Sequence, residues 1–365
     1  MRITGVSALP VGLPFSHGGP PTGFGGKVWT TLDHLVVRVD TDEGVTGYGE
    51  SFGFDVVPAT ARLLERSVAP FLLGRDPSEH SALLEGVRRA LHMYGRQGLL
   101  SFALSGVDIA LWDIAGKVAG APLWRLFGGA RRERVPAYAS LLRYRDPVVV
   151  ARVTEQALVE GYTRVKLHET GVDEVAAARR AAGPDVQLML DVNCAWSPEE
   201  AVRIAAAMAE YDLHWLEEPT WPPEDFRALA QLRSAIAIPV AAGENLSTPA
   251  DIERLLEASA VDYLQPSATK LGGLSELRWA SALARERGVA VAPHSPYFGP
   301  GLLATLHAIA AEPAIESIET FYLQLQPDLF GGRLAVVAGH LTVPEGPGLG
   351  LDPDPAVLTR FRLDA

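Results

Sequence analysis

Residues 163–170 read TRVKLHET. On a strand, side chains alternate between faces, so Val165 and Leu167 point one way and Lys166 and His168 the other. Two proton-handling groups then share a face at the end of an apolar run. Seven other runs have a similar form: VPAYAS (135–140), VQLMLDVN (186–193), LHWLEE (213–218), IPVAAGEN (238–245), VDYLQPS (261–267), VAVAPH (289–294) and IESIET (315–320). Each is separated from the next by a helical stretch rich in Ala, Leu, Glu and Arg. From the second run onward the starts recur about every 22 to 28 residues, the length of one strand, one helix and two short loops. Eight such units predict an α/β fold with a closed parallel, TIM-like barrel. An open doubly wound sheet is the alternative, but no GxGxxG follows the first strand, and even spacing favours closure.

The residues before these runs have another organisation. DHLVVRVDT (33–41) turns through DEG into VTGYGES (45–51), a hairpin pattern. Apolar residues recur at helical spacing over 59–73 and 78–91, and LSGVDIALWDIAGKVAG (104–120) continues as a largely buried helix ending at glycine. This predicts a small α+β domain, joined to the barrel by the basic, turn-rich stretch LFGGARRERVP (126–136).

Composition narrows the function classes. The chain has 365 residues, 48% of them hydrophobic, and no uninterrupted apolar run long enough to span a bilayer. The N-terminus lacks the pattern of a secretory signal, and the single cysteine, Cys194, can form no internal disulfide, so a soluble protein of the reducing cytoplasm is expected, with no membrane partner. A net charge of −12 spread along the chain disfavours nucleic acid as a partner.

In nearly every run the ionisable or hydrogen-bonding residue comes at the C-terminal end: Lys166 and His168, Asp191 and Asn193, Glu217, Glu244, Ser267, His294, Glu319. In a parallel barrel that end is the catalytic face. A single carboxylate after a strand is often a helix cap, but agreement across seven strands points to a site. Asp191, Glu217 and Glu244 end three consecutive units, so their carboxylates are expected side by side, where they repel unless a cation is shared. An all-oxygen ligand set favours Mg²⁺, with Mn²⁺ as the alternative. Salt bridges to Arg or Lys across the barrel are the competing reading, which the scarcity of inward cations on neighbouring strands disfavours.

The phrases ALSGVDIALWDIAGK, LMLDVN, WLEEP, AGEN, KLGG and GPGLGLD, in this order and spacing, resemble the mandelate racemase and muconate lactonising branch of the enolase superfamily over nearly the whole chain. The resemblance implies an N-terminal α+β capping domain (1–127), a modified (β/α)₇β barrel (128–330) and a C-terminal segment (331–365) that returns to complete the cap. It also implies a homo-oligomer, a small-molecule carboxylate substrate, and Mg²⁺ held by Asp191, Glu217 and Glu244. The chemistry implied is removal of the proton α to that carboxylate, with the metal stabilising the enediolate.

In this family the strand of Lys166 usually carries K-x-K, the second lysine being the base. Here His168 replaces it. Histidine has an unperturbed pKa near ~6.5 and acts as a base near neutrality, and the neighbouring Lys166 cation is expected to keep it neutral while holding the substrate carboxylate. On the other face His294 matches the family's seventh-strand histidine, but Ser267 stands where an aspartate or lysine is expected. Without a carboxylate partner His294 is a weaker base, although its imidazolium can still donate a proton. Glu319 matches a glutamate that hydrogen-bonds the enolate when protonated.

Lys270, Asn193, His17 and Tyr297 are expected at the substrate. FSHGGPPTGFGGKVW (15–29) and GESFGFDV (49–56) match the family's lid loops, and HSPYFGPG (294–301) adds an aromatic wall. Dehydration of a sugar acid or other hydroxy acid to a 2-keto acid needs one base and one acid, which His168 and His294 supply. Racemisation or epimerisation needs two matched bases, which Ser267 weakens; cycloisomerisation is a further alternative. A non-catalytic carboxylate-binding protein is expected to have lost a metal ligand, and all three are present.

Overall fold

The computed structural model describes residues 1–23, 27–129 and 132–363. Phe24, Gly25 and Gly26 of the expected lid, and Ala130 and Arg131 of the basic junction, lie outside the described residues.

Strands β1 (Ile3–Ser16), β2 (Thr31–Thr41) and β3 (Thr46–Ser51) form an antiparallel sheet. The predicted hairpin is β2–β3, with Gly44 at φ 77 in its turn, a conformation glycine adopts without strain. The helix Leu99–Val118 packs on this sheet. By length and composition it could cross a membrane, but 78% of its most apolar window is buried inside the protein, as a core helix requires.

All eight apolar runs form strands: β4 (Arg134–Ser140), β5 (Arg164–Leu167), β6 (Gln187–Asp191), β7 (Leu213–Glu217), β8 (Val240–Ala242), β9 (Tyr263–Leu264), β10 (Ala290–Val291) and β11 (Ile318–Phe321). They are parallel neighbours in the order β11-β4-β5-β6-β7-β8-β9-β10, and a helix connects each to its successor in the chain, the (β/α)₇β arrangement. Among the described residues no ladder joins β10 to β11. Side chains bridge that seam: Ser295 N donates to Glu319 Oε2 at 2.9 Å and Ser295 Oγ to Glu319 O at 3.1 Å. After β11 the chain returns to the cap, where β12 (Gln324–Leu325) pairs with Phe15 and Ser16, and Leu363 N donates to Pro10 O at 3.0 Å.

Period-two alternation sets the barrel interior. Tyr138, Met189, Trp215, Ala241 and Ala292, with Tyr263 against them, form an apolar floor. Leu190, Leu216, Ala242 and Leu264, one position further on, face outward into the core beneath the helices. The next inward positions are Ser140, Asp191, Glu217, Gly243, Gln265 and His294. A dry floor under a polar layer follows from sequence period alone.

The cap docks through two of the quoted phrases. Gly272 N donates to Ser105 Oγ at 2.9 Å, and Asp108 accepts from Ser275 N (3.0 Å), Ser275 Oγ (2.6 Å) and His80 Nε2 (2.8 Å). Gly273 has φ 118, and a Cβ there would lie 2.2 Å from Asp108 Oδ2, so the cap helix and KLGG approach too closely for any other residue. On the cap's far side Asp113 accepts from Tyr48 N, Leu349 N and Lys117 Nζ at 2.9, 2.8 and 2.7 Å, tying β3 and GPGLGLD to the same helix.

Asp108 is fully buried, and removing it strands a part-buried backbone N–H and a part-buried histidine. Asp108→Ala is expected to lower unfolding free energy by about 3 kcal/mol, measured by urea denaturation, through lost cap–barrel docking.

Candidate active site

Asp191, Glu217 and Glu244 are all buried, and one oxygen of each lies within 4.8 Å of the others. Asp191 and Glu217 end β6 and β7 in register, and Glu244 follows β8 after Gly243, whose φ of 132 makes the turn. Asn193, Cys194 and Glu218, just beyond the strand ends, all have positive φ (49, 57 and 44). Such strain persists where surrounding structure over-determines the backbone, as at ligand sites. Three convergent carboxylates suit one hard divalent cation.

The expectation of few inward cations is corrected. Lys166, fully buried, places Nζ 2.7 Å from Glu217 Oε1, 2.8 Å from Glu319 Oε1 and 3.8 Å from Asp191 Oδ2, above the Tyr138 ring. Burial favours the neutral amine, but Glu217 and Glu319 together outweigh it and hold the Lys166 pKa well above its ordinary value. Lys166 is therefore an internal counter-ion to the carboxylates, directed at them rather than at the open mouth. Burial pushes the Glu217 pKa well above its ordinary value despite Lys166, so this carboxylate lacks full compensation in the absence of a cation.

His168 sits above Lys166. Its Nδ1–H donates to Leu141 O, which leaves the lone pair on Nε2, 3.3 Å from Asp191 Oδ2. The neighbour that acts on this nitrogen is a carboxylate, not the Lys166 ammonium. Arg143, absent from the sequence reading, donates through Nε to His168 O and through Nη2 to Asn193 Oδ1 at 2.9 Å. Asn193 in turn donates from N and Nδ2 to Asp191 at 2.8 and 2.9 Å. Both ends of its amide are engaged, and Asn193 thereby orients Asp191. Arg143 lies three residues beyond β4, so the strand-end rule that found the other residues would have found it too.

His294 lies opposite. Nε2 is 2.7 Å from Glu244 Oε2, and Nδ1 is 3.1 Å from the Tyr297 hydroxyl, which also bonds Ser267 Oγ. A hydroxyl pair thus occupies the place of the family's carboxylate. Burial alone would raise the Glu244 pKa, but His294, Lys270 and Lys166 hold it well below the usual range. Lys270 Nζ reaches Asn245 Oδ1 (3.2 Å) and Glu244 Oε1 (3.9 Å) and stands 4.9 Å from the centre of the Phe52 ring. Phe52 N donates to Thr269 O at 3.1 Å, so the cap's second loop closes directly on this strand end.

Glu319 differs from expectation. It accepts from Lys166, from Ser140 Oγ at 2.7 Å and from Ser295 N, and against the cost of burial Lys166 and His294 hold it down to about 2. These neighbours are all donors, which favours the ionised form beside Lys166 and places one oxygen at the barrel seam. His17 stacks on Tyr144 with centroids 5.7 Å apart, and burial lowers its pKa. With Tyr297, Phe321 and Asp328 it lines a cavity of about 500 Å³ beside β11, where a complete barrel would carry its eighth helix.

Residues 26–128 match the family described as mandelate racemase/muconate lactonizing enzyme, N-terminal domain, and residues 149–357 the family described as enolase C-terminal domain-like. The chain is 35% identical to the D-galactarolactone cycloisomerase of Agrobacterium fabrum, over 90% of this chain and 91% of that one. It is 31% identical to the D-galactonate dehydratase of Ralstonia pickettii, over 89% and 90%. A racemase from Streptomyces coelicolor A3(2), solved with bound magnesium, superposes with a TM-score of 0.87 at 29% identity, over 99% of this chain and all of that one.

Removing Lys166 leaves Glu217 and Glu319 buried without their shared counter-ion. Lys166→Met is expected to cost on the order of 3 kcal/mol in denaturant unfolding of the metal-free protein. Divalent cation should restore part of it, a difference calorimetry with and without metal measures.

Proposed function

Because the chain belongs to the mandelate racemase and muconate lactonizing branch of the enolase superfamily, we propose that it binds Mg²⁺ at Asp191, Glu217 and Glu244 and eliminates an oxygen leaving group β to the carboxylate of a sugar acid. The observation that carries this reading is the asymmetry of the two histidines. His168 Nδ1–H donates to Leu141 O, which sets the lone pair on Nε2, 3.3 Å from Asp191 Oδ2, whereas His294 has Nδ1 against the Tyr297 hydroxyl and Nε2 2.7 Å from Glu244 Oε2, an acceptor-only carboxylate that a proton on that nitrogen satisfies. One base and one acid suit elimination; racemisation requires two matched bases.

Held by Asp191, Glu217 and Glu244, the cation would supply Lewis-acid polarisation of the substrate carboxylate and so acidify the adjacent C–H. His168 Nε2 takes the α-proton, and Asp191 accepts a hydrogen bond from the imidazolium so formed. Leu141 O and Arg143 keep the ring and its backbone in place. As the β C–O bond breaks, the His294 imidazolium gives its proton to the departing oxygen, with the Tyr297 hydroxyl holding Nδ1. Lys166 keeps Glu217 and Glu319 compensated throughout, and Lys270 and Phe52 close the site against water.

An open-chain acid loses water and the enol product tautomerises to a 2-keto acid, the principal reading. The 35% identity to a lactone cycloisomerase favours a second: if the leaving oxygen belongs to a ring, the same proton removal opens the ring. A panel of aldonic and aldaric acids and their lactones, followed in D₂O by NMR, separates the two by product. α-Proton exchange without elimination would point to racemisation and overturn the proposal.

Chelation should abolish turnover. Asn193→Ala, which releases Asp191, should weaken Mg²⁺ binding about 10- to 100-fold by isothermal titration. His168→Asn should retain Mg²⁺ binding but lose α-proton exchange; exchange at the wild-type rate would assign the base elsewhere. Ser267→Asp should strengthen proton retention by His294 and extend the alkaline limb of the pH–rate profile.

A further inference from the structure

Gln265 is fully buried, and neither Nε2 nor Oε1 of its carboxamide has a hydrogen-bond partner. A buried amide with both ends unpaired is unfavourable, and in a native protein such a group calls for an explanation. Its direction follows from the strand. Tyr263 packs on the barrel floor, Leu264 faces the outer core, and Gln265 N donates to Ala242 O at 2.9 Å, so the Gln265 side chain points inward above the floor.

The flanking strands offer it nothing. Leu264 registers with Ala242 on one side and Val291 on the other, which puts Gly243 and Ala292 level with Gln265. One has no side chain and the other a methyl group. The polar groups on neighbouring strand ends are committed elsewhere, Glu244 to His294 and Ser267 to Tyr297. The carboxamide therefore lies in the polar layer of the barrel, between the metal-ligand side and His294, with a donor and an acceptor both free.

We propose that Gln265 is a substrate-binding residue that reads vicinal hydroxyls of the sugar acid, Oε1 accepting from one hydroxyl and Nε2 donating to the oxygen of its neighbour. This rests on the elimination reading above for the class of substrate, not for the chemistry. A carboxylate does not fit, because its oxygens only accept and would oppose Oε1; a diol both donates and accepts. A buried amide left unpaired by an analogue lacking those hydroxyls would discriminate against it strongly.

The test uses Mg²⁺-loaded wild type, Gln265→Leu and Gln265→Met, with D-gluconate, D-galactonate and D-arabinonate as polyhydroxy probes and 2-hydroxyhexanoate as the hydroxyl-poor one. Calorimetry should show wild type binding at least one polyhydroxy acid tenfold or more tighter than 2-hydroxyhexanoate, and both variants losing that preference. Without ligand, both variants should melt at or above the wild-type temperature, because an apolar replacement removes two unpaired groups. Retention of the preference within twofold, a fall of several degrees in ligand-free melting for both variants, or no preference in wild type would each overturn the proposal. If wild type shows the preference but eliminates nothing, the elimination reading fails and Gln265 stands.

Discussion

Four carboxylates, those of Asp191, Glu217, Glu244 and Glu319, converge above an apolar floor, and the fully buried ammonium of Lys166 makes their company tolerable. Like charges at this spacing, removed from water, oppose folding unless a cation stands among them. Lys166 meets three of the four. Glu244, furthest around the ring, is met by His294 and Lys270 instead. Asp191, Glu217 and Glu244 still converge closely enough for one divalent cation to be held among them, so one electrostatic imbalance sets the design of this part of the core.

The same imbalance explains how the site is braced. Asn193 holds Asp191 from above and is itself held by Arg143, which also anchors His168 O, so Asp191 and His168 are held through one guanidinium. Across the mouth, Glu319 meets Lys166 and stitches β10 to β11 where backbone pairing lapses. Among the described residues the cap reaches this network through Phe52, beside Lys270, and through Thr22 Oγ1, which donates to Arg143 O at 2.6 Å, and its docking depends on glycines that let Asp108 approach KLGG.

Much of this was legible in the chain. The spacing of apolar runs gave eight strands, and all eight formed; polar residues at their ends gave the acid triad and both histidines. Arg143 and Gln265 were equally exposed to that rule and were overlooked, Arg143 because it falls three residues past a strand that ends in serine, Gln265 because Ser267 drew the comparison with the family. Partnership was not legible. Period two says that Lys166 and Glu319 both face inward, not that they touch, since they lie on strands separated by β4 and far apart in sequence.

The sequence by itself therefore determined the strands, their faces and the identity of the charges, because alternation and periodicity are local properties of the backbone. Only the tertiary structure decided which charge neutralises which. It set Lys166 between Glu217 and Glu319, Glu319 against Ser140 and Ser295 at the seam, and Asn193 on Asp191. Those assignments depend on distances across the barrel, which strand tilt and closure set and no stretch of sequence contains.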